Sequence, residues 1–145
     1  MKILLFGKDG QVGWELQRAL APLGQVIALG SRNTEFAADF SDPDALAATV
    51  RAVAPRWIVN AAAYTAVDRA ESEPELARTV NAIAPGVLAR EAAVIGASLV
   101  HYSTDYVFDG SGSTPWVEDA PTGPLGVYGT TKLEGEEAIR RSGCP

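Results

Sequence analysis

Four short stretches of the chain are apolar at nearly every position: KILLF at 2–6, QVIAL at 25–29, RWIVN at 56–60 and SLVHY at 98–102. A strand with one wet face alternates polar and apolar residues, so runs this continuous predict strands covered on both sides. The stretches between them carry helical spacing. QVGWELQRALAPLG closes at Gly24, and SDPDALAATVRAV opens with Ser41 as N-cap and Pro43 in the first turn. PELARTVNAIAPGVLAREAAVIG reads as one helix closing at Gly96. Strand and helix therefore alternate, which predicts an α/β fold: a doubly wound parallel sheet, joined by right-handed crossovers, with helices on both faces. Residues 108–126 are rich in Gly, Pro, Ser and Thr and lack periodicity. They predict a long loop leading to a last helix near VYGTTKLEGEEAIRR, and long loops in compact domains commonly carry function.

Composition narrows the class. A chain of 145 residues, 47% hydrophobic and 21% charged, fits one globular domain over 1–145. No apolar run nears the roughly 18 residues of a membrane helix, and the start lacks the basic and apolar segments of a secretory signal. A cytoplasmic protein is expected. The lone Cys144 has no internal partner, in keeping with a reducing compartment. A net charge of −6 with scattered arginines gives no footprint for nucleic acid.

FGKDGQVGWEL, directly after the first apolar run, places glycines at 7, 10 and 13. Alone such a turn is a weak signal; between a buried strand and a helix it predicts a Rossmann-like dinucleotide site. Gly7 and Gly10 would let the backbone approach a pyrophosphate, and Gly13 would let helix and strand pack closely. The spacing G-x-x-G-x-x-G resembles that of the extended short-chain dehydrogenase/reductase superfamily. Sites for NAD usually end the second strand with an acid that bonds the ribose. Here Gly30 stands at that point, and Ser31 with Arg32 offers partners for a 2′-phosphate, so NADPH is expected as well as NADH. An ordinary solvated arginine is the competing reading of Arg32. Asp39 and Phe40 would lie beside the adenine.

Tyr128 and Lys132 are four residues apart, on one face of the last helix. A phenol needs a nearby cation to act as a proton mediator at neutral pH, and Lys132 would supply it. Ser103 and Thr104 leave the fourth strand at its C-terminal end, the edge at which open parallel sheets bind ligands.

Together FGKDGQVGWEL, NAAAYTAVDRAE, STDYVFDG and YGTTK resemble the dTDP-4-dehydrorhamnose reductase family along essentially the whole chain. The resemblance implies Gly10, Gln11 and Val12 at the pyrophosphate, Asp39 and Phe40 near the adenosine, and Ala62, Ala63, Tyr64 and Thr65 along the cofactor. It also implies Thr104 and Asp105 at the sugar, Tyr128 as proton donor and Lys132 as the group that tunes it. No metal is implied in these residues. The implied reaction is hydride delivery from NADPH or NADH to the C4 ketone of dTDP-4-dehydro-6-deoxy-L-mannose.

Members of that family are about twice as long, so this chain is expected to be a C-terminally truncated, cofactor-binding half. An open sheet edge would then favour self-association as a homodimer. Sugar-nucleotide dehydratases share the scaffold but carry an acid pair after the catalytic threonine, whereas Asp105 is followed by Tyr106. A second reading is a non-catalytic NADP-binding module resembling the regulatory beta subunit of methionine adenosyltransferase. His101 is expected to line the core or pocket, and Trp14, Trp57 and Trp116 to pack.

Overall fold

The structure, a computed structural model, describes residues 1–145. It opens with β1 (Lys2–Phe6), α1 (Gln11–Leu20), a 3-10 turn at Ala21–Leu23 and β2 (Gln25–Leu29). After a connection through the 30s come α2 (Pro43–Val53), β3 (Trp57–Asn60), α3 (Val67–Ala70) and α4 (Pro74–Arg78). A π turn at Thr79–Ile83 leads directly into α5 (Ala84–Ile95), followed by β4 (Ser98–His101), a 3-10 turn at Asp105–Val107 and α6 (Val127–Ser142). The strands form one parallel sheet in the order β2-β1-β3-β4. Chain order reverses beside β1, because β2 lies on one side of it and β3 on the other. Such a switch point opens a crevice at the C-terminal ends of the two strands, where ligands of open α/β sheets bind.

Helices cover both faces, unequally. Leu4, Phe6 and Ile58 point to one face and pack with Leu46, Val50 and Val53 of α2 and with Leu88 and Ala92 of α5. Ile3, Leu5 and Val59 point to the other face, against Leu16 and Leu20 of α1. Central β1 is buried on both sides, as its apolar run predicts. The edge strands are not: β2 is half-buried over most of its length, and Val100 of β4 is 39% exposed. An edge strand has one neighbour, and the α1 face has one helix to cover it.

The first turn of α2 is capped by Asp42, whose Oδ1 accepts from Ala45 N at 3.0 Å, and not by Ser41. Pro43 takes the first helical position, so the cap falls on the residue before it. Ser41 instead donates its N–H and hydroxyl to Asp39 Oδ1.

The single helix expected over 74–96 is interrupted at its middle. Pro85 has no N–H to give to Asn81, and its ring crowds that carbonyl, so the preceding turn widens and Ala84 N–H bonds Thr79 O five residues back. Arg51 forks onto Glu91 at 2.6 and 2.5 Å, tying α2 to α5. Trp14, expected to pack, is 69% exposed on the outer side of α1. Trp116 stacks on Phe108 with ring centroids 4.8 Å apart, which folds the long loop upon itself. No helix is long and apolar enough to cross a membrane.

Candidate functional site

The glycine turn joins β1 to α1 with almost no room to spare. Gly7 has φ of 85°, a left-handed conformation that side chains disfavour, and a Cβ built there would lie 2.6 Å from Ala62 N. At Gly13 an added Cβ would lie 1.9 Å from the Gly7 carbonyl oxygen, so α1 begins in contact with the turn. Gly10 differs. Its added Cβ would meet only the Gly7 oxygen, at 3.6 Å, and would otherwise enter open space. Gly10 is also the N-cap of α1, without a side-chain acceptor, and the first turn holds no acidic residue. Gly10 N–H is taken by Gly7 O at 3.1 Å, but the N–H groups of Gln11 and Val12 have no main-chain acceptor and, with the helix dipole, favour an anion in the adjoining opening.

That opening is a cavity of about 340 Å³ at the crevice between β1 and β3. Of the residues singled out as cofactor contacts, it is lined by Gly7, Gly10, Ser31, Asp39, Phe40, Ala62, Ala63 and Thr65. Phe40 contributes little of its ring: it is 5% exposed and meets Phe6 edge-on, with centroids 5.4 Å apart. Gln11 and Val12 lie beside the cavity on the first turn of α1, in a shallow depression shared with Tyr102. Arg32 is exposed and lies outside the lining.

Tyr64 sits outside it too, with a structural part to play. Its hydroxyl donates to Glu73 at 2.6 Å, which raises its pKa above the usual phenol value. Its main chain is held by Asn81, whose Oδ1 accepts from Tyr64 N at 2.8 Å while Nδ2 donates to Tyr64 O and to Thr131 Oγ1. Asn81 lies in the π turn, so the widened turn ties the cavity wall to α6. Nothing in the linear pattern marks Asn81 for this role.

A second cavity, about 420 Å³, lies beyond the end of β4 and is lined in part by Asp105, Tyr106, Phe108, Trp116 and Tyr128. Tyr128 projects from the first turn of α6, its ring edge-on to Tyr106 at 5.3 Å. The N-cap of this helix is Gly126, which has no side chain to offer; Glu71 instead reaches across and accepts from Val127 N at 2.8 Å. Thr104 Oγ1 accepts from Tyr106 N and donates to Asp105 Oδ1 at 3.4 Å. Ser103 donates to Glu136 of α6.

Lys132 follows Tyr128 by one turn and is 2% exposed. Its ammonium donates to Tyr102 O at 2.6 Å and approaches His101 Nε2 at 3.5 Å. Burial lowers its pKa to about 8. His101 is wedged between Lys132 and Asn60. Asn60 Oδ1 accepts from Ala62 N, so its Nδ2 faces and donates to His101 Nδ1 at 2.9 Å, leaving the ring proton on Nε2. Burial, and secondarily the charge of Lys132, push the imidazole down to about 3. Asn60 thus links the end of β3 to the Lys132 environment, a connection that sequence spacing does not reveal.

Known proteins share both the sequence and the geometry. A dTDP-4-dehydrorhamnose reductase of Escherichia coli (strain K12) is 59% identical over 140 residues, covering 97% of this chain and 47% of that protein. A crystal structure of a dTDP-4-dehydrorhamnose reductase from Clostridium acetobutylicum superposes with a TM-score of 0.89 at 39% identity, over 97% of this chain and 49% of that one. The enzyme of the same name from Bacillus anthracis, in complex with NADP, superposes with a TM-score of 0.87 at 31% identity, over 97% of this chain and 49% of that one. The chain spans about half the length of the relatives it matches. The model of the RmlD substrate binding domain matches residues 1–145 from end to end, and the chain belongs to that family.

Proposed function

We propose that residues 1–145 are the dinucleotide-binding domain of a reductase that converts dTDP-4-dehydro-6-deoxy-L-mannose to dTDP-L-rhamnose with NADPH or NADH. The carrying observation is Lys132, buried with a cationic head against Tyr102 O one helical turn from Tyr128, which lines the second cavity. The first cavity fits a dinucleotide: small residues line it, Gly10 leaves open space, and the uncapped start of α1 meets the pyrophosphate through Gly10, Gln11 and Val12.

The cofactor, when bound, supplies the hydride for the sugar's C4 carbon. Tyr128 gives its hydroxyl proton to the C4 oxygen as that oxygen gains charge, and the phenolate left behind is held by the Lys132 ammonium until solvent returns a proton. Thr104 turns its hydroxyl from Asp105 to the same oxygen, adding a second donor there. Asp105 and the second cavity face the sugar nucleotide. The reductase names of the relatives favour this reading over a non-catalytic NADP-binding module. A cytoplasmic location and a homodimer belong to the same reading.

Incubating the intact gene product with the 4-keto sugar nucleotide and each reduced cofactor tests it. Loss of the reduced-nicotinamide absorbance with formation of dTDP-L-rhamnose is expected. Tight dinucleotide binding without turnover would favour the binding module instead.

A further inference from the structure

Tyr128 stands in the first turn of α6, and little of the chain just before it fixes where that turn begins. Leu125 is 84% exposed, and Gly126 has no side chain with which to cap the helix. The fixed point comes from elsewhere. Glu71, at the end of α3, places Oε1 2.8 Å from the Val127 nitrogen and accepts its N–H. A Cβ built on Gly126 would lie 2.9 Å from the same oxygen, so the missing side chain is what lets the carboxylate in. Glu71 is itself held: its N–H donates to Asp68 O at 3.3 Å, and the neighbouring Ala70 is fully buried.

We infer that Glu71 is a positioning residue for the catalytic acid: by accepting from Val127 N–H it sets where the Tyr128 hydroxyl stands against the substrate carbonyl. The inference rests on the reading of Tyr128 as the proton donor of a reductase. The segment that carries Glu71 runs past both cavities, because Thr65 lines the first and Val67, the first residue of α3, lines the second. An anchor from this segment therefore places the acid relative to the walls that would hold both reactants. Farther along α6, Gly129 lies against Tyr106 O, where an added Cβ would be 2.2 Å away, and Lys132 is bonded to Tyr102 O. Those contacts tie the helix to the end of β4 from positions after Tyr128. The Glu71 contact precedes it, so its loss frees the turn that bears the phenol. Proton transfer depends on close approach of the two oxygens, and a misplacement of about 1 Å can cost roughly 100-fold. Glu71 serves here as an acceptor and not as a charge, so an amide oxygen can replace its carboxylate.

Steady-state kinetics with the 4-keto sugar nucleotide, cofactor titrations and urea midpoints of the intact gene product test this with Glu71→Gln, Glu71→Ala, Gly126→Ala and the Glu71→Ala/Gly126→Ala pair. Glu71→Ala should lower kcat by about tenfold at unchanged dinucleotide affinity. Glu71→Gln, which keeps an acceptor oxygen, should hold kcat near that of the parent. Gly126→Ala, whose methyl displaces the carboxylate, should slow turnover as Glu71→Ala does, and the pair should be no slower than either single variant. A Glu71→Ala protein with parental kcat overturns the inference, whatever its urea midpoint, because the cap would then stabilise the helix and nothing more. A Glu71→Gln protein as slow as Glu71→Ala overturns it too, as does a pair whose losses multiply. A parent that binds dinucleotide without reducing the sugar overturns the reductase reading itself, and the inference with it.

Discussion

Lys132 Nζ donates to the main-chain carbonyl of Tyr102 at 2.6 Å, so the one buried ammonium of α6 is anchored to the point where β4 ends. Burial brings its pKa down to about 8, and above that pH the amine is neutral. A neutral amine neither favours the Tyr128 phenolate nor adds charge to a hydrogen bond with cofactor. We expect kcat/KM and dinucleotide affinity to fall together as pH rises through about 8, and Lys132→Met to be low at every pH. A profile that stays level well into the alkaline range removes Lys132 from the mechanism.

Tyr128→Phe keeps the ring packed on Tyr106 and deletes only the proton donor. Steady-state turnover of the intact protein should drop by about 10²- to 10⁴-fold, the usual contribution of a positioned general acid. Cofactor titrations should be nearly unchanged. Parental turnover in this variant would exclude Tyr128 as the acid.

Two alanine substitutions in one turn should part company. In Gly13→Ala the new methyl would sit 1.9 Å from the Gly7 oxygen, so the start of α1 must shift. Overpacking of this kind costs about 1–3 kcal/mol, to be read from urea denaturation midpoints. In Gly10→Ala the nearest atom is 3.6 Å away and the methyl projects into the cavity. That variant should fold as the parent does and lose dinucleotide affinity; the converse pattern would contradict the assignment of the two glycines.

Acid should destabilise the fold in two windows. His101 titrates near 3 in the folded protein and near 6.5 as an ordinary imidazole, so between those values the unfolded chain binds the extra proton and stability falls as pH drops. The Arg51 guanidinium holds the Glu91 carboxyl below its ordinary 4.5, so stability present above that value is lost on further acidification. Urea midpoints should decline from about pH 6.5 downward. His101→Gln should flatten the upper part of the curve and Glu91→Gln the lower part. Midpoints that rise on acidification would contradict both signs.

Residues 2–6 and 25–29 are strands over the bounds that their apolar runs mark; in β1 the buried run Ile3–Phe6 leaves a one-dimensional trace, and β2 keeps its apolar run although it is only half-buried at the edge. Gly7, Gly10 and Gly13 are legible for a similar reason: a tight strand-to-helix turn needs residues without side chains at fixed intervals. Partnerships across space leave no such trace. Asp9 faces Gly30 from 21 positions away, and Glu71 caps a helix that begins 56 residues later. Local competition also misleads, as where Pro43 draws the cap from Ser41 to Asp42. Trp14 reads as core by its size alone, yet it lies on the side of α1 turned from the sheet.

The π turn at Thr79–Ile83 is equivalent to one residue inserted in a regular helix. At 3.6 residues per turn, one residue corresponds to about 100° of rotation about the axis. Deleting one residue there would turn the two halves against each other by that angle, with Pro85 still denied a regular turn before it. Asn81 would then face away from Tyr64 whenever α5 kept its seat on the sheet, and the Arg78 ion pair with Glu134 of α6 would part with it. The irregular turn thus sets the phase between a half that belongs to the core and a half that belongs to the ligand wall, so the fold can outlast an error that the site cannot.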